Sequence, residues 1–69
     1  MVYDYTKLKA RMVEKGFNQS SLCAEIRMNE GVFSMRLNNE RSFRQAEIEK
    51  ICDVLDIKPK DISIYFFAH

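Results

Sequence analysis

The spacing of apolar side chains along this 69-residue chain predicts a protein built mainly of helices. The most regular series is Ile48, Ile51, Cys52 and Leu55. These residues lie three or four positions apart, so they share one face of a helix. We expect Ser42 to cap that helix, with Gln45 three residues later completing a capping box.

Another helix is predicted near the N-terminus. Its apolar residues are Tyr5, Leu8, Met12 and Val13. Asp4 or Thr6 can cap its start, because each side chain carries an oxygen that accepts a backbone hydrogen bond. The helix should run to about Lys15, since the following Gly16 readily adopts the left-handed conformation that ends helices.

Two short helices are predicted in the middle of the chain. Asn18 can cap a helix over residues 19–26, and Asn29 can cap another from Glu30 to about Asn38. Between them lies a short break at Arg27 and Met28. The side chains expected to face inward are Leu22, Cys23, Ile26, Phe33 and Leu37. Residues 38–41 then read as a polar turn.

The last residues leave two possibilities open. Lys58 and Pro59 open a short element, because proline is tolerated at the first position of a helix. In the tail that follows, Ile62 and Phe66 fit one face of a helix, whereas Ile62, Ile64 and Phe66 fit one face of a strand. The expected fold is all-α: one compact domain of four to five helices, with a tail that is either a helix or a short strand.

Composition limits the classes of function. Cys23 and Cys52 form no CxxC pair and His69 is the only histidine, so we expect no metal site and no cofactor. We interpret both cysteines as small buried hydrophobic residues, with a disulfide as the alternative. Without a nucleophile–base pair or a glycine-rich phosphate loop, we expect neither enzymatic activity nor a small-molecule substrate. No apolar run reaches membrane-spanning length, which suggests a cytoplasmic protein without membrane contact.

Charge adds a weak indication of a nucleic-acid partner. The formal net charge is only +1, but residues 27–44 carry four arginines against two glutamates. A basic surface of this kind suits nucleic acid, although an ordinary mixed-charge surface would give the same count.

The two central helices, over about residues 18–38, suit a helix-turn-helix. The first is short and apolar, the joint holds the apolar Met28, and the second combines polar residues at its start with inward Phe33 and Leu37. This stretch resembles the helix-turn-helix family of phage repressors and Cro proteins. The similarity lies in Gln19 with the following Leu22 and Cys23, in the inward Phe33, and in the loop Asn38-Asn39-Glu40-Arg41.

The resemblance implies a sequence-specific regulator of transcription, with a lambda-repressor-like fold, that binds double-stranded DNA. The residues it would place against base edges in the major groove are Asn29, Glu30, Ser34 and Met35. The residues it would place against backbone phosphates are Gln19, Arg36, Asn38, Asn39, Arg41 and Arg44. Asparagine can read adenine, glutamate can accept from cytosine, and methionine can touch a thymine methyl group.

Several of these residues have an alternative explanation. Asn29 can act as a helix cap, Glu30 can complement the helix dipole, and Gln19 can be an ordinary surface residue. The chain also departs from the family at Arg27, where glycine is usual in a turn of positive φ. Gly31 lowers helix propensity by ~1 kcal/mol relative to alanine, but it can also permit close approach to DNA.

The tail predicts a homodimer. Ile64, Tyr65, Phe66 and Phe67 are consecutive apolar or aromatic residues, and one terminal element can bury only one face of them. Two-fold pairing would present two recognition helices to DNA. The alternative is that the tail only closes a small core. For the whole chain, the alternative function is a protein-interaction module or anti-repressor that binds another regulator.

Overall fold

In the computed structural model, which describes residues 2–69, all regular structure is helical, as expected. The helices are α1 (Thr6–Glu14), α2 (Gln19–Ile26), α3 (Glu30–Leu37), α4 (Gln45–Leu55), a 3₁₀ turn (Pro59–Asp61) and α5 (Ile62–Phe66). The tail is therefore a helix. Proline opens the 3₁₀ turn, as its fixed φ allows.

Local signals set the starts of the first three helices. The Asn18 side chain accepts from the Ser21 N–H at 2.7 Å, and the Asn29 side chain accepts from the Val32 N–H at 3.2 Å. Asp4 accepts from the Thr6 N–H at 2.9 Å, which satisfies one donor in the first turn of α1. The predicted caps Asn18 and Asn29 are confirmed, whereas the N-cap residue of α1 is Tyr5 and neither Asp4 nor Thr6 occupies that position.

The predicted cap of α4 is wrong. Ser42 lies in the connection before the helix, and Arg44 is the N-cap residue. The Arg44 N–H donates to Glu47 Oε1 at 2.8 Å. Glu47, and not Gln45, is therefore the residue whose side chain accepts from the N-cap backbone in the capping box. At its other end α4 is closed by α1, because the Arg11 guanidinium donates to the carbonyls of Leu55 and Asp56, each at 3.0 Å.

One hydrophobic core joins all five helices. Its buried members are Tyr5, Leu8, Met12, Leu22, Cys23, Ile26, Phe33, Ile48, Ile51, Cys52, Leu55, Ile57 and Phe66. The predicted burial of Phe33 is confirmed, while Leu37 is only half-buried. The prediction that Val13 belongs to the apolar face of α1 is wrong, since this residue is 75% exposed.

Phe43 organises the aromatic part of this core, a role the sequence pattern missed. Its ring meets Tyr5, Phe33 and Phe66 edge-on, with ring-centroid distances of 5.4, 5.9 and 5.4 Å. Edge-to-face pairs of this kind are favourable beyond the area they bury. Phe43 belongs to the α3–α4 connection, so this packing fixes an irregular segment to the core.

Both cysteines are buried free thiols, as interpreted from the sequence. Burial raises the pKa of each thiol, and the carboxylates of Glu30 and Asp53 raise those of Cys23 and Cys52 further. A thiol with a raised pKa is a poor nucleophile and a poor metal ligand. Across residues 2–69, no three His, Cys, Asp or Glu side chains are grouped as metal ligands would be.

No helix formed by residues 2–69 combines the length and apolar character that crossing a membrane requires.

Candidate functional site

Helices α2 and α3 are joined by three residues, Arg27, Met28 and Asn29. Arg27 has φ 57° and ψ 48°, the left-handed conformation that turns the chain sharply after α2. The positive φ expected at this position is confirmed, although the residue is an arginine. Met28 is half-buried against the core, and Asn29 then caps α3. Together these residues hold α3 across α2 with its first turn exposed.

The first turn of α3 presents polar groups and open backbone to solvent. Asn29, Glu30 and Gly31 are exposed, while Ser34 and Met35 are partly exposed on the following turn. The structure therefore brings together the four residues predicted to read bases. The side chain of Asn29 is also occupied as the cap of α3, so the alternative explanation of this residue is confirmed as one of its roles.

Gln19 connects the two helices. Its Nε2 atom donates to the carbonyl oxygen of Glu30 at 3.2 Å, and the side chain is half-buried. This bond ties the start of α2 to the start of α3. The predicted phosphate contact at Gln19 stays a prediction, since the amide oxygen is left free of protein partners in the described hydrogen bonds.

Two arginines flank the exposed face of α3. Arg41 and Arg44 lie on the α3–α4 connection with exposed side chains, and Asn38 is exposed at the end of α3. The arginines border an open cleft of about 440 Å³. The cleft is lined by Val32, Met35, Arg36, Arg41, Ser42 and Arg44. A cleft between a polar helix face and two free cations can receive an anionic, partly apolar ligand.

Arg36 corrects the predicted set of phosphate-binding residues. Its side chain is only 7% exposed, and its Nε and Nη2 atoms donate to Glu47 Oε1 and Oε2 at 3.0 and 3.2 Å. The Nε and Nη2 donors of Arg36 are therefore occupied by Glu47 and not directed to a phosphate. Burial alone would raise the pKa of Glu47, but hydrogen bonds from Arg36 and from the Arg44 N–H lower it below its ordinary value.

Asn39 is a second correction. Its side-chain oxygen accepts from the Tyr3 N–H at 2.8 Å, and its Nδ2 donates to the Tyr3 carbonyl at 2.9 Å. Asn39 has φ 63°, which asparagine tolerates better than most residues. The amide thus fastens the N-terminal segment to the end of α3 instead of facing outward.

The C-terminal residues divide between core and surface. Phe66 is 1% exposed and packs on Phe43, so its assignment to a dimer interface is wrong. Ile64 and Phe67 are 43% and 46% exposed, and Tyr65 is half-buried. A helix of this length buries one side chain fully and leaves those on its outer side exposed.

The comparisons with known proteins identify a family. A family model described as "Protein of unknown function (DUF739)" matches residues 1–69, so the chain belongs to that family. No curated protein matches the chain significantly. Since the family's description carries no activity, an account of function has to start from the geometry of α2, α3 and the arginines beside them.

Proposed function

We propose that this member of a family of unknown function is a sequence-specific regulator of transcription that binds double-stranded DNA in the manner of phage repressors and Cro proteins. The observation that carries the proposal is the exposed first turn of α3, held across α2 by a three-residue joint and flanked by free arginines. An α-helix with its side chains is ~10–12 Å in diameter, and the major groove of B-DNA is ~12 Å wide, so a helix such as α3 can enter it.

In this proposal the first two turns of α3 read base edges. Asn29 and Glu30 begin the helix, and Ser34 and Met35 follow on the same exposed side. Gly31 lies between these groups without a side chain, so the helix backbone can approach the bases closely. Glu30 would be repelled by phosphates, but its carboxylate can accept from a cytosine amino group.

Phosphate contacts come from the residues that border this face. Arg41 and Arg44 project from the connection after α3, and Gln19 lies at the N-terminus of α2 with Asn38 at the end of α3. Such contacts fix the register of a protein on the duplex without reading its sequence. They also make binding fall as salt rises, because each neutralised phosphate releases counterions.

The protein is further proposed to act as a homodimer. Ile64 is exposed on α5, Phe67 is exposed directly after it, and the Tyr3 ring packs on Phe67 at 5.8 Å; we call these three residues the terminal patch. Pairing of two terminal patches would hide these apolar surfaces. It would also offer two α3 helices to successive major grooves, ~34 Å apart.

The test of DNA binding is selection of duplexes from a random pool, followed by titrations at several salt concentrations. Asn29→Ser keeps a capping oxygen but loses the two-bond contact to adenine, so it should change the preferred base at a cost of ~1–3 kcal/mol. Asn18→Ser makes the same change at the cap of α2 and should leave the preference unaltered. Arg41→Ala should weaken all duplexes about equally and lower the salt slope by ~1.

Two outcomes would contradict these assignments. If no duplex is enriched at low salt, the chain is not a DNA-binding regulator, and its α3 face becomes a candidate surface for another protein. If duplexes are enriched but Asn29→Ser keeps the wild-type preference, Asn29 is a cap and nothing more.

A further inference from the structure

Arg36 occupies an unexpected place for a charged residue on a DNA-facing helix. In the described chain it is the one charged residue among those that are buried, and it belongs to α3 itself. Like its neighbour Met35 it lines the cleft beside the exposed arginines, but its guanidinium is paired with Glu47 of α4. The charge is therefore paired inside the protein, at the edge of the face proposed to meet DNA.

The partner of Arg36 is Glu47, which makes three hydrogen bonds at once. Both of its oxygens accept from the Arg36 guanidinium, at 3.0 and 3.2 Å. Oε1 also accepts from the backbone N–H of Arg44 at 2.8 Å. One carboxylate therefore links the last half of α3 to the residue that precedes α4.

This arrangement constrains geometry more than it adds stability. Removing two charges from water costs nearly as much as their attraction returns, so a buried ion pair is a weak source of net stability. A two-bond arginine–carboxylate pair, however, is satisfied in only one relative orientation. The pair consequently fixes where the backbone of Arg44 lies relative to α3.

We propose that Glu47, held by Arg36, is a positioning residue that sets Arg44 at the distance from α3 required for its phosphate contact. This inference rests on the proposed function, because it concerns the same DNA-facing surface. Glu47 holds the backbone N–H of Arg44, and the residue before it, Phe43, packs in the core. The cleft between Met35 and Arg44 then keeps a fixed width.

Because Glu47 is negatively charged, a positioning role and a purely electrostatic effect predict opposite changes in DNA affinity when the charge is removed. A carboxylate beside a DNA-binding face repels phosphates, so neutralising it should strengthen binding if charge alone matters. A positioning role predicts instead that neutralising Glu47 weakens binding. Glu49 supplies the matched control, since it lies two residues further along α4 with an exposed side chain.

The experiment compares Glu47→Gln and Glu49→Gln in titrations of the duplex selected by the wild-type chain, over a series of salt concentrations. Glu47→Gln should weaken binding at least tenfold and lower the salt slope by ~0.9, the value for one lost phosphate contact. Glu49→Gln should bind as the wild type does, or more tightly. Thermal melts by circular dichroism fix a temperature at which each variant is folded.

A double-mutant cycle with Arg44→Ala completes the test. If Glu47 acts through Arg44, Glu47→Gln should cause no further loss in the Arg44→Ala background. A purely structural role would weaken both backgrounds alike and leave the salt slope unchanged. Wild-type affinity and slope in Glu47→Gln would overturn the positioning role alone, whereas a wild-type chain that selects no duplex would overturn the proposed function and this role with it.

Discussion

Gly31 is the second residue of α3, two positions after the cap residue Asn29. A Cβ atom built there would lie 3.0 Å from Oδ1 of Asn29, the atom that accepts from the Val32 N–H. That distance is closer than carbon and oxygen normally approach, so an added methyl group would disturb the cap. A larger residue at this position would thus require the Asn29 side chain to shift by a few tenths of an ångström.

This contact makes the effect of Gly31→Ala depend on Asn29. Alanine gains ~1 kcal/mol of helix propensity over glycine, and disturbing the cap costs a similar ~1 kcal/mol. We expect Gly31→Ala alone to change the free energy of unfolding by less than ~0.5 kcal/mol. In the Asn29→Ala background, where the oxygen is absent, the same change should stabilise by ~1 kcal/mol. Urea denaturation of the four chains measures the coupling, and equal effects in both backgrounds would refute it.

At the scale of elements, much of the fold follows from local sequence. Asn18 and Asn29 mark the starts of α2 and α3 because a capping oxygen acts on the next three residues only. The start of α4 was mispredicted because both Ser42–Gln45 and Arg44–Glu47 satisfy the same local spacing. Only the second pair has a further partner, because Arg36, which is distant in sequence, donates to Glu47. No local pattern reports such a contact.

The candidate site was predictable to a similar extent. The exposed face of α3 follows from helical periodicity around Phe33, and its residues lie where the sequence placed them. Arg36 and Asn39 were misassigned because a polar residue next to an exposed face is usually exposed itself. Their actual partners, Glu47 and Tyr3, come from other elements. Long-range partners of this kind are set by packing.

The Arg36–Glu47 link between α3 and α4 predicts how stability changes in acid. The pKa of Glu47 is below its ordinary value of 4.5 in the folded protein, because hydrogen bonds from Arg36 and Arg44 favour the charged form over the opposing effect of burial. A lowered folded pKa adds stability that is complete above the unfolded pKa and is lost as pH falls through the folded pKa. Acid should therefore destabilise the wild-type chain.

Melting temperatures measured from about pH 6 to about pH 3 test this sign. The wild-type value should fall below about pH 4.5, and the fall should be smaller in Glu47→Gln, which has no carboxylate at this position. Asp4 also has a lowered pKa, through hydrogen bonds from Thr6, so part of the acid dependence should remain until Asp4→Asn is added. Parallel curves for the wild type and Glu47→Gln would exclude the linkage.

At the scale of the whole molecule, the N-terminal and C-terminal segments of the described chain meet near the end of α3. The Asp4 N–H donates to the Ala68 carbonyl at 2.7 Å, and the Tyr3 ring packs on Phe67 and His69. Asn39 fastens the Tyr3 backbone to the end of α3. The terminal patch is thereby connected to α3 through two residues, so pairing of patches would also set the orientation of α3.

The dimensions of the molecule are compatible with a dimer that spans one turn of DNA. The molecule measures 28 × 25 × 20 Å, so two copies in contact have centres separated by about one of these lengths. The spacing of successive major grooves is ~34 Å, so each α3 would have to lie outward of its own molecule's centre in such a dimer. A monomer would leave Ile64 and Phe67 in water and would read only one half-site.

Phe67→Ser tests the dimer without removing any residue of the core. Truncation of the tail would be uninformative, because it would also delete the buried Phe66 and so alter the core. We expect light scattering at micromolar concentration to give twice the chain mass for the wild type and a value near the chain mass for Phe67→Ser. Val13→Ser is the control, since Val13 is an apolar residue that is 75% exposed on α1, outside the terminal patch, and this variant should remain dimeric. A wild-type chain that is monomeric both free and on its selected duplex would rule out the pairing of terminal patches.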